Sequence, residues 1–294
     1  APARFKASRA RSVRLLCRER GMCVWKQQFA QTRGRLEERY LYTLRHSLTG
    51  TLLATPDTEG RFNSTKRLYG WDWPELGMTM VGVTRMELLH ETLHAAYNQK
   101  RLEGDFLEAG VWRGGACIYA RGFMEAYEVR RKVWVVDSFR GLPPPEDPRD
   151  KAWEAFKYSP KSQFLAVSRP QVEDHFRRYQ LLDSSVEFVE GFFSETLPTL
   201  SGLLGKLAIL RLDGDLYKST LLSLCYLYPR LQVGGFWIID DWHLEARDAT
   251  WDFITANQIV ERPVHSKDQV SVWFEKHDDV SIDWKWCLRE LSNR

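Results

Sequence analysis

From Asp105 onward, short apolar runs alternate with helix-length amphipathic segments, and two consecutive runs end in acidic clusters. The first, Lys206 to Leu212, leads into Asp213-Gly214-Asp215, and the second, Phe236 to Ile239, leads into Asp240-Asp241. Runs this short and this uniformly apolar read as strands buried on both faces, the signature of a parallel sheet covered by helices. Between them, Leu216 to Leu231 reads as a crossover helix closed by Gly234-Gly235. In an open α/β sheet the carboxyl ends of such strands face one crevice, where ligands bind. Single carboxylates at strand ends often only cap the next helix. Four converging on one crevice repel one another unless a cation sits among them, and hard oxygen donors suit Mg²⁺.

The rest of the chain extends the same rhythm. Strands are predicted at Asp105 to Val111, Val133 to Val136 and Val186 to Val189, with helices at Gly115 to Tyr127, at Gln171 to Tyr179 and after Ser194. A helix at Ala246 to Asn257 and late strands near Ile259 to Val264 and Gln269 to Phe274 complete it. The expected fold is a doubly wound, mostly parallel α/β sheet with helices on both faces. Upstream, Glu37 to Leu53 and Val83 to Gln99 read as helices of an N-terminal extension, separated by a turn-rich aromatic stretch. The expected organisation is a basic arm (1–40), a helical lid or accessory segment (41–103), a catalytic domain (104–276) and a tail (277–294). Gly141 to Ser168 interrupts the alternation with Pro143-Pro144-Pro145 and mixed charges and aromatics, which reads as a lid.

Charge and cysteine content narrow the function classes. Residues 1–40 carry eleven Lys/Arg against three Glu, although the whole chain is only +3. Without a dense basic block or a recognisable motif, the arm does not indicate nucleic-acid binding. It reads as a solvated tail or accessory helix, or as part of an organellar targeting segment. No stretch is long and apolar enough to span a membrane. Five cysteines, none in a Cys-x-x-Cys pair, argue for a reducing compartment and against a disulfide framework. A cytoplasmic protein is expected, with organellar targeting the open alternative.

The first strand runs into Glu108-Ala109-Gly110-Val111-Trp112-Arg113-Gly114-Gly115, whose glycines let a ligand approach the backbone. The spacing is not the dinucleotide fingerprint. The second strand ends in Asp137, about 25 positions beyond the glycines, where an acidic side chain typically accepts ribose hydroxyls. A glycine turn and a ribose acid without phosphate-binding spacing favour a nucleoside such as S-adenosylmethionine. Its positive sulfonium and ammonium groups suit an acidic lip made by Glu108 and Asp213.

The segments FLEAGVWRGGACIYARG, VVDSFRGLPPP, GFFSETLP, LRLDGDLYKSTLLSLCYLYPRLQVGGFWIIDDW and the upstream TMVG together resemble the macrocin O-methyltransferase (TylF) family, from about Tyr42 to Glu275. The resemblance implies a Rossmann-like class I methyltransferase with a seven-stranded sheet. It also implies S-adenosylmethionine and Mg²⁺ as cofactors and methylation of a sugar or phenolic hydroxyl in natural-product biosynthesis. By position, Asp213, Asp240 and Asp241 match the family's metal ligands, and Asp215 its proposed general base. Thr79, Met80, Glu108, Gly110, Val111, Asp137 and Ser138 fall in cofactor motifs, with Gly191 and Phe192 where the adenine is held. His243, beside the Asp pair, is a second candidate base or a neighbour that only supports the site. The basic arm and the tail after Lys276 have no recognised counterpart.

The expected partner is a hydroxylated small molecule, with no nucleic acid or membrane, in a homo-oligomer. A catechol-type acceptor and a non-catalytic cofactor-binding scaffold stand as alternatives. His90-Glu91-Thr92-Leu93-His94 spells a zinc-protease string, but it lies before the α/β core. Trp71, Trp73 and Trp242 are the tryptophans expected to meet an acceptor ring, whereas Trp112, Trp134 and Trp237 are expected to pack.

Overall fold

The computed structural model describes residues 36–151, 153 and 160–292. The chain divides into two compact units, Ala1–Thr43 and Leu44–Arg294. In the first, residues 36–43 are helical, and most of the basic arm, with Cys17 and Cys23, lies outside the described residues. The sheet and its cavity belong to the second unit.

Seven strands make one sheet: β1 (Asp105–Ala109), β2 (Val133–Asp137), β3 (Val186–Glu190), β4 (Leu207–Leu212), β5 (Leu231–Ile239), β6 (Val264–His265) and β7 (Val272–Glu275). Their order is β3-β2-β1-β4-β5-β7-β6. The first five run parallel, and β7 and β6 close the edge antiparallel. All six residues of β4 are buried, as a strand covered on both faces requires. The strand order reverses between β1 and β4, which pair with Glu108 opposite Arg211 and Ala109 opposite Leu212. Reversal splays the following loops to opposite faces and opens a crevice at the carboxyl ends.

The covering helices follow the apolar spacing: α1 (Ser64–Tyr69), α2 (Gly82–Leu93), α3 (Gly115–Ala126), α4 (Pro160–Leu165), α5 (Arg169–Arg178), α6 (Phe193–Leu203), α7 (Tyr217–Leu227), α8 (Ala246–Ala256) and α9 (Trp284–Ser292). One face of the sheet packs Leu107, Leu210, Leu212 and Ile239 against Leu221, Leu224 and Phe253. Trp237 stacks on Phe274 at 4.1 Å, with Tyr228 edge-on. Burying each such large apolar side chain contributes about 1.5–3 kcal/mol, so β5 and α7 are anchored firmly just below the crevice.

The structure departs from expectation in three places. The helix expected over Val83 to Gln99 is α-helical only to Leu93 and continues as a π-helix, His94–Gln99. The crossover helix stops at Leu227 because Pro229 has no N–H to continue it, and Leu231 already begins β5. The cysteine expectation is overturned: Cys225 on α7 and Cys287 on α9 form a disulfide across 62 residues. A pairing at that separation depends on how two helices dock, which spacing along the chain does not encode. Among the described residues Cys117 remains free and buried.

Candidate active site

A cavity of about 590 Å³ opens over the carboxyl ends of β1, β2, β4 and β5. That is an ordinary size for a small-molecule site. Gly110, Asp137, Ser138, Phe192 and Asp213 line one end, and Asp215, Asp241 and His243 line its floor. Met80, Trp71, Trp73 and Arg85 come from the segment before the sheet, and Leu142, Pro143, Trp153 and Leu165 from the stretch between β2 and α5.

At the β1 turn, Gly110 has φ +88, and a Cβ there would lie 1.8 Å from the backbone oxygen of Asp213. Only glycine permits β1 and the β4 loop to approach this closely. Asp137, at the tip of β2, accepts the N–H of Val111 and of Phe139, each at 2.7 Å. Burial pushes its carboxyl above the ordinary range, and those N–H groups pull against that shift. Val111, Thr79 and Gly191 stand behind the wall. The Thr79 hydroxyl accepts the N–H of Val81 at 3.4 Å, and the Gly191 N–H donates to the Asp137 carbonyl at 3.0 Å.

On the floor, one oxygen each of Asp213, Asp215 and Asp241 lies within 4.8 Å of the others. Asp215 and Asp241 hold left-handed backbones, φ +57 and +50, strained for non-glycine residues and characteristic of functional turns. Burial, opposed by Arg211 and reinforced by Asp240, leaves Asp213 well above the usual carboxylate range. Burial and the Asp241 charge do the same to Asp215. Such a cluster is short of positive charge, and its hard donors fit a divalent cation. No other group of three or more such ligands occurs among the described residues.

Two of the expected site residues lie outside this cluster. Asp240 is not in this cluster: it is 2% exposed and engaged by both Arg85 and Arg211. Burial would raise its pKa, but the two guanidiniums hold it below the ordinary value. Asp215 stands with Asp213 and Asp241 in the cluster. Glu108 likewise turns away from the cavity, against Arg211 and the Cys117 thiol, whose Sγ lies 2.7 Å from Oε2. Burial outweighs Arg211 and raises Glu108, and the same burial keeps Cys117 a protonated donor. Arg211, which also reaches Asp213 at 2.9 Å, was missed. Its signal was a charge inside the apolar run LAILRL, where burial demands partners.

The tryptophans also re-sort. Trp71 and Trp73 face the cavity as expected, but Trp242 is buried against Trp251 and Phe274. Trp112 and Trp153 line the cavity instead, Trp153 donating to Glu245 at 3.3 Å. His90 and His94 pack on α3, against Tyr119, Phe123 and Tyr127, which leaves the zinc-protease string as helix packing.

Comparison with known proteins identifies the family. The family model for macrocin-O-methyltransferase (TylF) matches residues 22–276. Mycinamicin III 3''-O-methyltransferase of Micromonospora griseorubida is 41% identical over 221 residues, 74% of this chain and 85% of its own length. Demethyldecarbamoylnovobiocin O-methyltransferase of Streptomyces niveus is 39% identical, over 69% of this chain and 79% of its own length. The solved structure of the O-methyltransferase NovP superposes with a TM-score of 0.77 at 36% identity, over 82% of this chain and all of its own. The chain belongs to the macrocin O-methyltransferase (TylF) family of enzymes.

Proposed function

We propose that this O-methyltransferase transfers the methyl group of S-adenosylmethionine to a sugar hydroxyl of a glycosylated natural product, with Mg²⁺ held by Asp213, Asp215 and Asp241. The convergence of those three carboxylates on the floor of the cavity carries the reading. The sugar acceptor is supported by 8-demethyl-8-(2,3-dimethoxy-alpha-L-rhamnosyl)-tetracenomycin-C 4'-O-methyltransferase of Streptomyces olivaceus, a relative 41% identical over 66% of this chain, and by Trp71 and Trp73, whose flat apolar faces suit the CH face of a sugar ring.

The chain's own residues divide the work. Gly110 leaves room for the donor, Asp137 accepts its ribose hydroxyls, and Phe192 covers the adenine. Asp213 presents negative charge toward the sulfonium. The acceptor oxygen attacks the methyl carbon in line as the carbon–sulfur bond breaks, releasing S-adenosylhomocysteine. When bound, the divalent ion supplies acidification of the acceptor hydroxyl. Asp215 keeps a second carboxylate oxygen to take the proton, and exposed His243 on the same wall passes it to solvent.

Turnover of a glycoside acceptor should vanish in EDTA and return with excess Mg²⁺. Undiminished turnover in EDTA would refute the cation role. Metal-free stability should also depend on pH. Asp213 and Asp215 are raised in the folded state, so their contribution is present at low pH and lost as pH climbs through the raised values. The melting temperature in EDTA is therefore expected to fall as pH rises above the ordinary carboxylate range and through the raised values, and Mg²⁺ to lessen that fall. A pH-independent effect of Mg²⁺ on melting would contradict this assignment.

A further inference from the structure

Helix α7 begins two residues after Asp215, yet none of its own side chains caps it. The N–H of Tyr217, in its first turn, instead donates at 2.8 Å to the carboxylate of Asp150, 67 residues earlier in the lid. Asp150 is fully buried, an unusual place for a carboxylate unless it satisfies a buried donor. The same helix end takes two further lid contacts. The Arg149 guanidinium lies 3.3 Å over the Tyr217 ring and 3.2 Å from Asp252, which also accepts the Tyr217 hydroxyl at 2.7 Å. Lys218 pairs with Glu146 at 2.8 Å.

On the other side of that helix start lies the carboxylate floor. The Leu216 N–H closes a tight turn on the Gly214 carbonyl at 2.6 Å, with Asp215 in its left-handed conformation between them. A left-handed conformation at a non-glycine residue persists only where its surroundings over-determine it. The lid cap fixes the downstream end of this turn, and β4 fixes the upstream end.

We propose that Asp150 is a positioning residue for the cation site: seated in the lid, it caps α7 and thereby holds Asp215 among the ligands. Cation affinity then depends on a seated lid, and the lid wall, with Trp153 facing the cavity, is coupled to the metal floor. The inference rests on the cation reading above. Donor binding at Gly110 and Asp137, across the cavity, is outside this linkage.

Calorimetric titration of Mg²⁺, and separately of S-adenosylhomocysteine, into the wild type, D150A and D150N tests it. Loss of an N-cap costs about 1 kcal/mol, and 1.4 kcal/mol is tenfold in affinity. D150A is therefore expected to weaken Mg²⁺ binding by roughly fivefold to tenfold and to leave S-adenosylhomocysteine affinity within about twofold. D150N, whose amide oxygen still caps, should recover most of the loss. Should D150A fail to fold, D150S is compared with D150N in the same way. Unchanged Mg²⁺ affinity in a folded D150A or D150S, or an equal loss for both ligands, overturns the proposal. If the wild type itself binds no Mg²⁺, the cation reading fails first and takes this inference with it.

Discussion

Replacing Asp241 with Asn is expected to lower kcat by about three orders of magnitude, or roughly 4 kcal/mol of barrier, without lowering the melting temperature. The two halves of this expectation have separate causes. Asp241 lies in a group of three carboxylates that suits one cation, so removing its charge removes a ligand. Its backbone is left-handed at φ +50, a conformation that Asn adopts readily, so the turn survives. The substitution also relieves repulsion with Asp215, whose raised pKa arises partly from Asp241. The metal-free protein should therefore melt at the same temperature or higher. Steady-state kinetics beside a thermal melt checks both; turnover within tenfold of wild type would remove Asp241 from the site.

Arg211→Met is expected to act in the opposite way, through the fold. Its guanidinium is almost fully buried between Glu108 on β1, Asp213 after β4 and Asp240 after β5. It is therefore the positive charge that allows three strand ends carrying carboxylates to lie side by side. Methionine fills much of the volume but leaves those carboxylates without their partner. Breaking a buried ion pair from one side costs about 3–5 kcal/mol, which for a chain this size lowers the melting temperature by roughly 10 °C. Arg85 still holds Asp240, so the protein is expected to fold but with a distorted cavity floor. A melt indistinguishable from wild type would show that Glu108 and Asp240 do not depend on this residue.

The sequence was most informative where backbone periodicity and residue chemistry coincide. Asp213 and Asp241 stand at strand ends, so the parallel-sheet pattern that places β4 and β5 also places both at the crevice. Gly110 and Asp137 were legible for the same reason. The placement of Asp240 and Asp215 was not legible, because the fate of a strand-end carboxylate depends on what lies behind it. Asp240 turns inward to Arg85 and Arg211, and Arg85 comes from a helix more than a hundred residues upstream. Asp215 reaches the cluster through a left-handed turn, which aspartate tolerates better than most residues but which its position in the sequence does not specify. Trp242 follows the Asp pair but rotates into the Trp251 and Phe274 packing. The Cys225–Cys287 disulfide and the Asp150 cap are likewise tertiary facts, set by how distant segments dock.

Anomalous scattering from crystals grown with Mn²⁺ and S-adenosylhomocysteine tests the central claim most directly. The expected result is a single strong peak in contact with Asp213, Asp215 and Asp241, on the acceptor side of the bound nucleoside, with Asp240 still held by its two arginines. A peak ligated by Asp240 in place of Asp215, or no peak at this floor at all, would contradict the account.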